Sequence, residues 1–535
     1  MQSMNVRSFW EEKVSRLPDK TFLVFQEREF TFKAFDRLIN RVANSLSELG
    51  VGQGDRVGGF MPNCLEWLVL YFAVAKLGAA NVFVNTQYNA ELLRHAFSAT
   101  DLKAVMVSTS LLSVYEEVRE DFSKLSPQIL VNDASEENPA PSGMIDYQEL
   151  LSGSPSDPPK VDLPPRTPLQ FIFTSGTTGL PKPCVTSHRY LLSMTRRIAR
   201  LLKATPEDRF LSCLPNYHGN VYIGTFSALM ADAVAILESR FSASQYWQWV
   251  EQYDATVLTL HITPMNVLLK QPPRPDDADN PARAGIFLVG EGAIPFLNRF
   301  GLSLGLSMYG STEAGGFCTM SPFGPDSTHD SRFSGKPRDD IELQIWDEND
   351  EAVPADTVGE IVIRDKVAHT IFSGYYNMPE KTAGTCRNFW FHSGDMGYLD
   401  AAGALHFVGR AEESIRVKGE FIPVDKLEAC VRRHPAVEEC AAVGVPSDIG
   451  EEDIKLFIKL QTGADQDPEA VCNHCREHLP RFMIPRYISY VDEFPLASSA
   501  MKIQKVKLKA EGVGAAWDRL KNSENLQQTE RRVGR

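Results

Sequence analysis

Phe171-Ile-Phe-Thr-Ser-Gly-Thr-Thr-Gly-Leu-Pro-Lys182 sets a run of large apolar residues against a loop of hydroxyls and glycines closed by a lysine. The apolar run reads as a buried strand. Gly176 and Gly179 let the backbone turn its amides toward one point, while Thr174, Ser175, Thr177 and Thr178 add hydroxyl donors and Lys182 adds a positive charge. Such a collection wraps phosphate oxygens. The Gly-x4-Gly-Lys-Ser/Thr spacing of a Walker loop is absent, so this is a phosphate cradle of another kind. A flexible loop with no ligand is the bland alternative, and a strand–loop–lysine string this dense argues against it.

On either side of this stretch, strands alternate with amphipathic helices. Upstream, Phe35–Leu49 carries apolar residues at helical spacing and stops at Gly50. Val57–Phe60 reads as a strand, Leu65–Leu77 as a helix and Val82–Asn85 as another strand. That alternation implies a parallel sheet covered on both faces. Residues 133–168 read as a surface linker with a helical piece at Tyr147–Leu151, and 271–281 and 321–331 read as polar loops. From Asp339 the texture changes to short alternating strands, Ile341–Trp346 and Glu360–Arg364 among them, which predicts a small β-rich subdomain. Beyond Arg410, a helix at Val424–His434, strands at Val437–Val443 and Ile454–Leu460, and a helix at Pro468–His478 predict a separate α+β unit. The expected organisation is α/β. A large N-terminal domain (1–410) holds two parallel-type subdomains and the β-rich one, followed by a small α+β C-terminal domain (411–517) and a disordered tail (518–535).

Composition narrows the function. A chain of 535 residues exceeds one ordinary domain, and 43% hydrophobic with 23% charged residues suits a folded protein with a deep cleft. The formal net charge of -14 argues against a nucleic-acid partner while leaving room for a local basic pocket. No apolar run reads as a membrane span or secretory signal, and nine cysteines without framework spacing suit reduced thiols in the cytoplasm. Cys472, His474, Cys475 and His478 cluster, and Cys-x-x-Cys is a zinc-ligand spacing. No second pair follows at finger spacing, and in a helix such offsets also arise from burial, so the cluster reads as core.

Four further segments carry chemistry: Met308-Tyr-Gly-Ser-Thr-Glu-Ala314, His392-Ser-Gly-Asp395-Met-Gly-Tyr398, Gly409-Arg410-Ala-Glu412-Glu413-Ser-Ile415 running on to Lys418-Gly419-Glu420, and Pro495-Leu-Ala-Ser-Ser-Ala-Met-Lys502-Ile-Gln-Lys505. With the loop at 171–182 they resemble, in order and over nearly the whole chain, the AMP-forming superfamily of acyl-CoA synthetases, peptide-synthetase adenylation domains and luciferases. Phe241–Tyr253 and Val443–Phe457 are similar to the branch containing carnitine- and crotonobetaine-CoA ligases, which points to a small polar acid.

The resemblance implies a role for each position. Tyr309 packs against adenine with Gly310 and Ser311 beside it, Thr312 contacts the α-phosphate, and Glu313 holds magnesium, whose hardness suits carboxylate and phosphate oxygens. Asp395 accepts from both ribose hydroxyls, and Arg410 contacts ribose and phosphate. Glu412 stands at the hinge where relatives carry Asp or Lys, and Gly419 lies in the loop brought to the thiol acceptor when the small domain rotates. Lys502 bridges the substrate carboxylate and the α-phosphate, although Ala500-Met501 replaces the Thr-Gly or Ser-Gly of relatives. Alone, Lys502 would read as part of a solvated basic face with Lys505, Lys507 and Lys509. Pro183 stands where relatives carry glycine, removing one backbone donor from that turn.

His218 in Pro215-Asn-Tyr-His-Gly-Asn220, together with Gly290, Glu291, Gly292, Met308 and Gly315, is implied to line the acyl pocket. His218 alone reads equally well as a core histidine. Glu291 occupies a place where small or apolar residues are common, and a buried carboxylate is costly unless paired. A substrate amine, ammonium or hydroxyl facing Glu291 is one reading; a side chain turned to solvent or to a salt bridge is the other. The implied cofactors are ATP and Mg2+, with coenzyme A as acceptor, and the implied activity is adenylation of a carboxylic acid followed by thioester formation. A different second step (loading a carrier protein, forming an amide, or activating nitrite to diazotise an arylamine) stays open, as does a nucleotide-binding protein that has lost catalysis.

Overall fold

The computed structural model describes residues 4–132, 139–174, 180–217, 222–260, 262–287, 292–328, 332–410, 415–417, 420–422, 424–446, 452–479, 483–496 and 503–521. The chain divides into two compact units. The larger comprises residues up to Thr357 with Ile361–Ser393 and Tyr398–Phe407, and the smaller comprises Val358–Glu360, Gly394–Gly397 and residues from Val408 onward.

Two sheets organise the larger unit. One has seven strands in the order Ile145–Asp146, Gln128–Val131, Ala104–Ser108, Arg56–Phe60, Ala80–Phe83, Pro168–Thr174 and Lys182–Ser187. Every neighbouring pair is parallel except the last. The other has nine strands, with a parallel centre of Leu304–Ser311, Ala284–Ile286, Val257–Thr259, Arg209–Ser212 and Val234–Leu237. Thr21–Phe25 adds parallel to Val234–Leu237, so the first strand of the chain joins the sheet formed by its middle rather than that of its sequence neighbours. A smaller sheet is built from Ile341–Trp346, Gly359–Asp365, Cys386–Arg387, Trp390–Leu399 and Leu405–Arg410.

The Leu65–Leu77 helix explains how the two large sheets share a core. All its residues but Glu66 are buried, as an apolar circumference requires. It packs in one cluster with Val57, Phe83 and Leu169 of the first sheet and Phe22, Phe210 and Leu306 of the second.

The expected elements appear with shifted ends. The first helix read from the sequence spans Phe32–Glu48, and the helical piece of the linker spans Tyr147–Leu150. The loop read at 321–331 needs correction at its start: Gly316–Phe323 is a strand, and Ser321 pairs antiparallel with Ser307 and Phe323 with Gly305. Its polar alternation reflects a two-sided strand.

In the smaller unit Val437–Pro446, Glu452–Leu460, Tyr487–Tyr490 and Trp517–Asp518 form a four-stranded sheet. Helices Val424–Arg432 and Pro468–His478 bury Leu427, Val431, Val471 and Cys475 in a core with Ile454 and Leu456 of that sheet. Pro468 opens its helix at the first turn and Asp467 caps it by accepting from the Ala470 N–H at 2.9 Å. The stretch read as a tail begins in order. Asp518 pairs with Tyr487, and the Arg519 N–H donates to the Arg486 carbonyl at 2.9 Å. Among the described residues no helix is long and apolar enough to cross a membrane.

His188 ties the N-terminus to this frame. It is fully buried, and its Nδ1 accepts from the Val6 N–H at 3.1 Å, while Nε2 has no partner among the described residues. Burial pushes its pKa down from 6.5 to about 3, so the folded protein holds it neutral. Between these values the unfolded chain binds the extra proton. Stability is therefore intact above pH 6.5 and falls on acidification toward pH 3 by up to about 1.4 kcal/mol per pH unit from this group. In denaturation measured across that range, His188→Gln, which keeps an acceptor but cannot take up a proton, flattens this part of the acid limb; an unchanged limb refutes the assignment.

Candidate active site

Antiparallel pairing of Pro168–Thr174 with Lys182–Ser187 sets Thr174 opposite Lys182. The two ends of the hydroxyl-rich loop are thus pinned at the mouth of a hairpin. Ser175, Gly176, Thr177, Thr178 and Gly179 lie outside the described residues. The Thr174 hydroxyl is buried there with no partner among the described residues, an arrangement that suits a ligand oxygen. Pro183, opposite Phe173 in the ladder, contributes its carbonyl to the Tyr376 N–H at 2.9 Å, so the proline is accommodated within a strand.

The second segment closes a tight hairpin between Leu304–Ser311 and Gly316–Phe323, with Ser311 opposite Gly316. Glycine is required twice. A Cβ on Gly310 would fall onto the Gly316 carbonyl oxygen. Gly315 has φ +88° and a Cβ there would meet the Thr370 carbonyl oxygen at 2.6 Å. The turn between them is held from outside: the Tyr190 hydroxyl donates to the Thr312 carbonyl at 3.1 Å and the Phe372 N–H to the Glu313 carbonyl at 3.2 Å.

This brings Glu313 beneath the surface, 8% exposed. Its Oε1 accepts from the Tyr375 hydroxyl at 2.7 Å. The second carboxylate oxygen has no protein donor among the described residues, and a hard divalent cation seeks such an oxygen. Lys182 reaches the same tyrosine, with Nζ 3.5 Å from its oxygen and 4.5 Å from the ring centroid. Three residues far apart in sequence therefore meet: Lys182, Tyr375 and Glu313. Burial, reinforced by the Glu313 charge, pushes the Tyr375 phenol well above its ordinary value, so it stays a donor. The same two causes push up the thiol of fully buried Cys184, whose backbone bridges to that of Tyr375.

Tyr375 escaped the sequence reading. It lies in Phe372-Ser-Gly-Tyr-Tyr-Asn377, where nothing in the local pattern marks one aromatic as different from its neighbours. Its position follows from ladder-like bonds that lay this segment along 183–185: Val185 N–H to the Gly374 carbonyl at 3.0 Å and Ser373 N–H to the Val185 carbonyl at 2.8 Å. Phe407 was missed too, and its ring stacks on buried Tyr309 with centroids 5.5 Å apart and planes at 26°.

In the smaller unit, Asp395 is 7% exposed and Arg410 Nε lies 3.4 Å from its Oδ1. A half-exposed guanidinium thus covers a buried carboxylate. Gly394 before it takes φ +69°, and its N–H donates to Glu360 Oε1 at 3.0 Å. Of the pocket residues, Met308 is buried in the main core opposite Met320, and Gly292 precedes the Ala293–Phe300 helix, where a Cβ would meet Asn266 Oδ1 at 2.7 Å. His218, Gly290, Glu291, Glu412, Gly419 and Lys502 lie outside the described residues.

The chain is similar to known proteins over most of its length. Residues 10–376 match the AMP-binding enzyme family and residues 426–500 the AMP-binding enzyme C-terminal domain. A crotonobetaine/carnitine–CoA ligase of Proteus mirabilis (strain HI4320) is 30% identical over 524 residues, covering 94% of this chain and 98% of that protein. The fold is shared with ATP-bound MatB from Rhodopseudomonas palustris, at TM-score 0.80 and 23% identity over 95% of this chain and 99% of that one. It is shared also with the O-succinylbenzoate coenzyme A synthetase of Bacillus subtilis in complex with AMP, at TM-score 0.79 and 21% identity over 95% and 98%.

The tight hairpin is open to a direct check. Gly310→Ala forces a methyl against the paired backbone, and the expected loss is about 1–3 kcal/mol of stability. Denaturant midpoints measure it; a variant as stable as the parent means that the hairpin yields without cost.

Proposed function

This chain belongs to the AMP-binding enzyme family, and we propose on that footing that it joins a small carboxylic acid to coenzyme A in two ATP-dependent steps. In the first, a carboxylate oxygen attacks the α-phosphorus of ATP, the bond to the β-phosphate oxygen breaks, and pyrophosphate leaves from an acyl-adenylate. In the second, the thiol sulfur of coenzyme A attacks the acyl carbon, loses its proton to solvent, and expels AMP. The family match carries this reading, and the meeting of Lys182, Tyr375 and Glu313 supports it with chemistry.

The residues divide the work by charge. Lys182, at the mouth of the 175–179 loop, offsets the negative phosphate oxygens, and the Thr174 hydroxyl offers one of them a hydrogen bond. Thr312, on the turn fixed by Tyr190, faces the α-phosphate in this assignment. Glu313 would hold Mg2+, whose chemistry when bound is to offset charge on the phosphate oxygens. The Tyr375 hydroxyl keeps Glu313 in one orientation. Tyr309, backed by Phe407, offers its ring to the adenine, and Asp395 takes the ribose hydroxyls with Arg410 beside it. Lys502 supplies an ammonium between the two anionic groups that react, Glu412 serves as hinge and Gly419 belongs to the second step. These assignments rest on the resemblance of the motifs and on the contacts given.

The substrate class proposed is a small polar acid bearing an amine, ammonium or hydroxyl that faces Glu291. Support comes from the name of the Proteus mirabilis relative and from the unusual acidic residue at this place in the chain.

Pyrophosphate release followed over a panel of acids, with and without coenzyme A, tests the activity. Release that requires an acid, together with a thioester product only when coenzyme A is present, is expected; a panel in which none of the acids yields a thioester overturns the proposal. Against the best acid, Tyr375→Phe slows pyrophosphate release roughly 10–100-fold, the loss of one hydrogen bond to a charged group. A rate equal to wild type removes the hydroxyl from the mechanism. Glu291→Ala shifts preference away from cationic or hydroxylated acids toward neutral ones, read as the ratio of kcat/KM values; an unchanged ratio ends the substrate assignment.

A further inference from the structure

Outside the site described, one cluster of metal-ligating side chains stands in the smaller unit. Cys430 on the Val424–Arg432 helix meets His474 and His478 on the Pro468–His478 helix, and one ligand atom of each lies within 4.8 Å of the others. We infer that Cys430, His474 and His478 form a binding site for a thiophilic divalent cation of the zinc class.

Spacing along the helix explains the pair of histidines: four residues apart, His474 and His478 share one face, with rings 4.5 Å apart. Their tautomers are set by the backbone. His474 Nε2 lies 3.0 Å from the Cys430 carbonyl oxygen, and His478 Nδ1 lies 2.8 Å from the His474 carbonyl oxygen. A carbonyl only accepts, so each of these nitrogens carries the proton and the other ring nitrogen keeps its lone pair. Binding N–H to a backbone carbonyl is the arrangement that orients a ligating imidazole. His434, 5.5 Å from the His474 ring, has the opposite assignment: its Nδ1 accepts from the Ala436 N–H at 3.3 Å, which commits that lone pair. The neighbouring histidine is therefore no ligand in this arrangement.

The two cysteines of the Cys-x-x-Cys spacing behave differently from Cys430. Cys472 and Cys475 are fully buried among Val471, Ile454 and Leu456, although the Cys475 thiol touches that of Cys430. Cys430 is 5% exposed, at the edge of the core, with His478 exposed beyond it, so an ion can enter from solvent. One sulfur and two imidazole nitrogens suit Zn2+, with a fourth position left for water. Tetrahedral ligands stand roughly 3–4 Å apart around zinc, so binding requires side-chain rotations that bring the cysteine sulfur and the two lone-pair nitrogens together within this cluster. On binding, the Cys430 S–H bond breaks, a sulfur–metal bond forms, and the proton goes to solvent. The ion then clips the two helices together.

The full-length chain, metal-stripped and kept in reductant with excess Mg2+, is titrated with Co2+ and with Zn2+. One equivalent of each is expected, cobalt giving a near-ultraviolet thiolate charge-transfer band that Zn2+ abolishes by displacement. Cys430→Ser removes the band. His478→Gln, at an exposed position that folding does not need, weakens zinc at least about tenfold. A band that survives in Cys430→Ser, or an unchanged zinc affinity in His478→Gln, overturns the site.

Discussion

A carboxylate cannot be put below a protein surface without a partner, and the larger unit is arranged around that constraint at Glu313. The Tyr375 hydroxyl meets one oxygen, and Tyr375 can stand there only because 373–376 runs along the 183–185 backbone. Lys182 begins that same strand and lies against the same ring. The hairpin glycines and the donors from Tyr190 and Phe372 fix the main chain on the other side. Moving any one of these segments would leave either a charge or a backbone group unmet. Lys182 and Glu313 are therefore positioned by one shared network.

What the sequence made legible follows the range of the physics involved. The Leu65–Leu77 helix and the Pro468–His478 helix are readable because an apolar run of helical length in the first, and Asp467 and Pro468 at the start of the second, are all local signals. The phosphate loop was readable because glycine, hydroxyl and lysine stand in consecutive positions. The first strand was not placed, because Thr21–Phe25 chooses its partner, Val234–Leu237, some two hundred residues away. Ser321–Phe323 reads as loop because Ser321 and Pro322 weaken its apolar signal, although it is hydrogen-bonded edge to edge with Leu304–Ser311. Its pairing is visible only when both strands are present.

Chemistry follows the same rule with less mercy. Motif resemblance names Glu313 and Asp395, with Arg410 beside the latter, but it does not name Tyr375, which holds Glu313 in place. Tyr375 stands 62 positions from Glu313, and an aromatic in an aromatic stretch carries no mark of its duty. At the proposed metal cluster the sequence draws attention to Cys472, His474, Cys475 and His478, and helical phase turns the two cysteines into the core. The cysteine that meets the histidines comes from the preceding helix, 44 positions away by the bond between His474 and Cys430. Spacing motifs report ligands only when the ligands share an element.

If both proposed sites are filled, two cations of different character would occupy one chain without competing. Glu313 offers a lone hard oxygen, a weak site for zinc and a suitable one for Mg2+ once phosphate oxygens complete the shell. Cys430, His474 and His478 offer sulfur and nitrogen, which Mg2+ binds poorly because it gives up water reluctantly. Donor softness thus does the sorting. The proposed first site would need the nucleotide to become complete, so its occupancy would follow catalysis. The proposed second site draws three ligands from the protein and needs only water besides, so its occupancy would follow the free concentration of the soft ion and the availability of the Cys430 thiol for deprotonation.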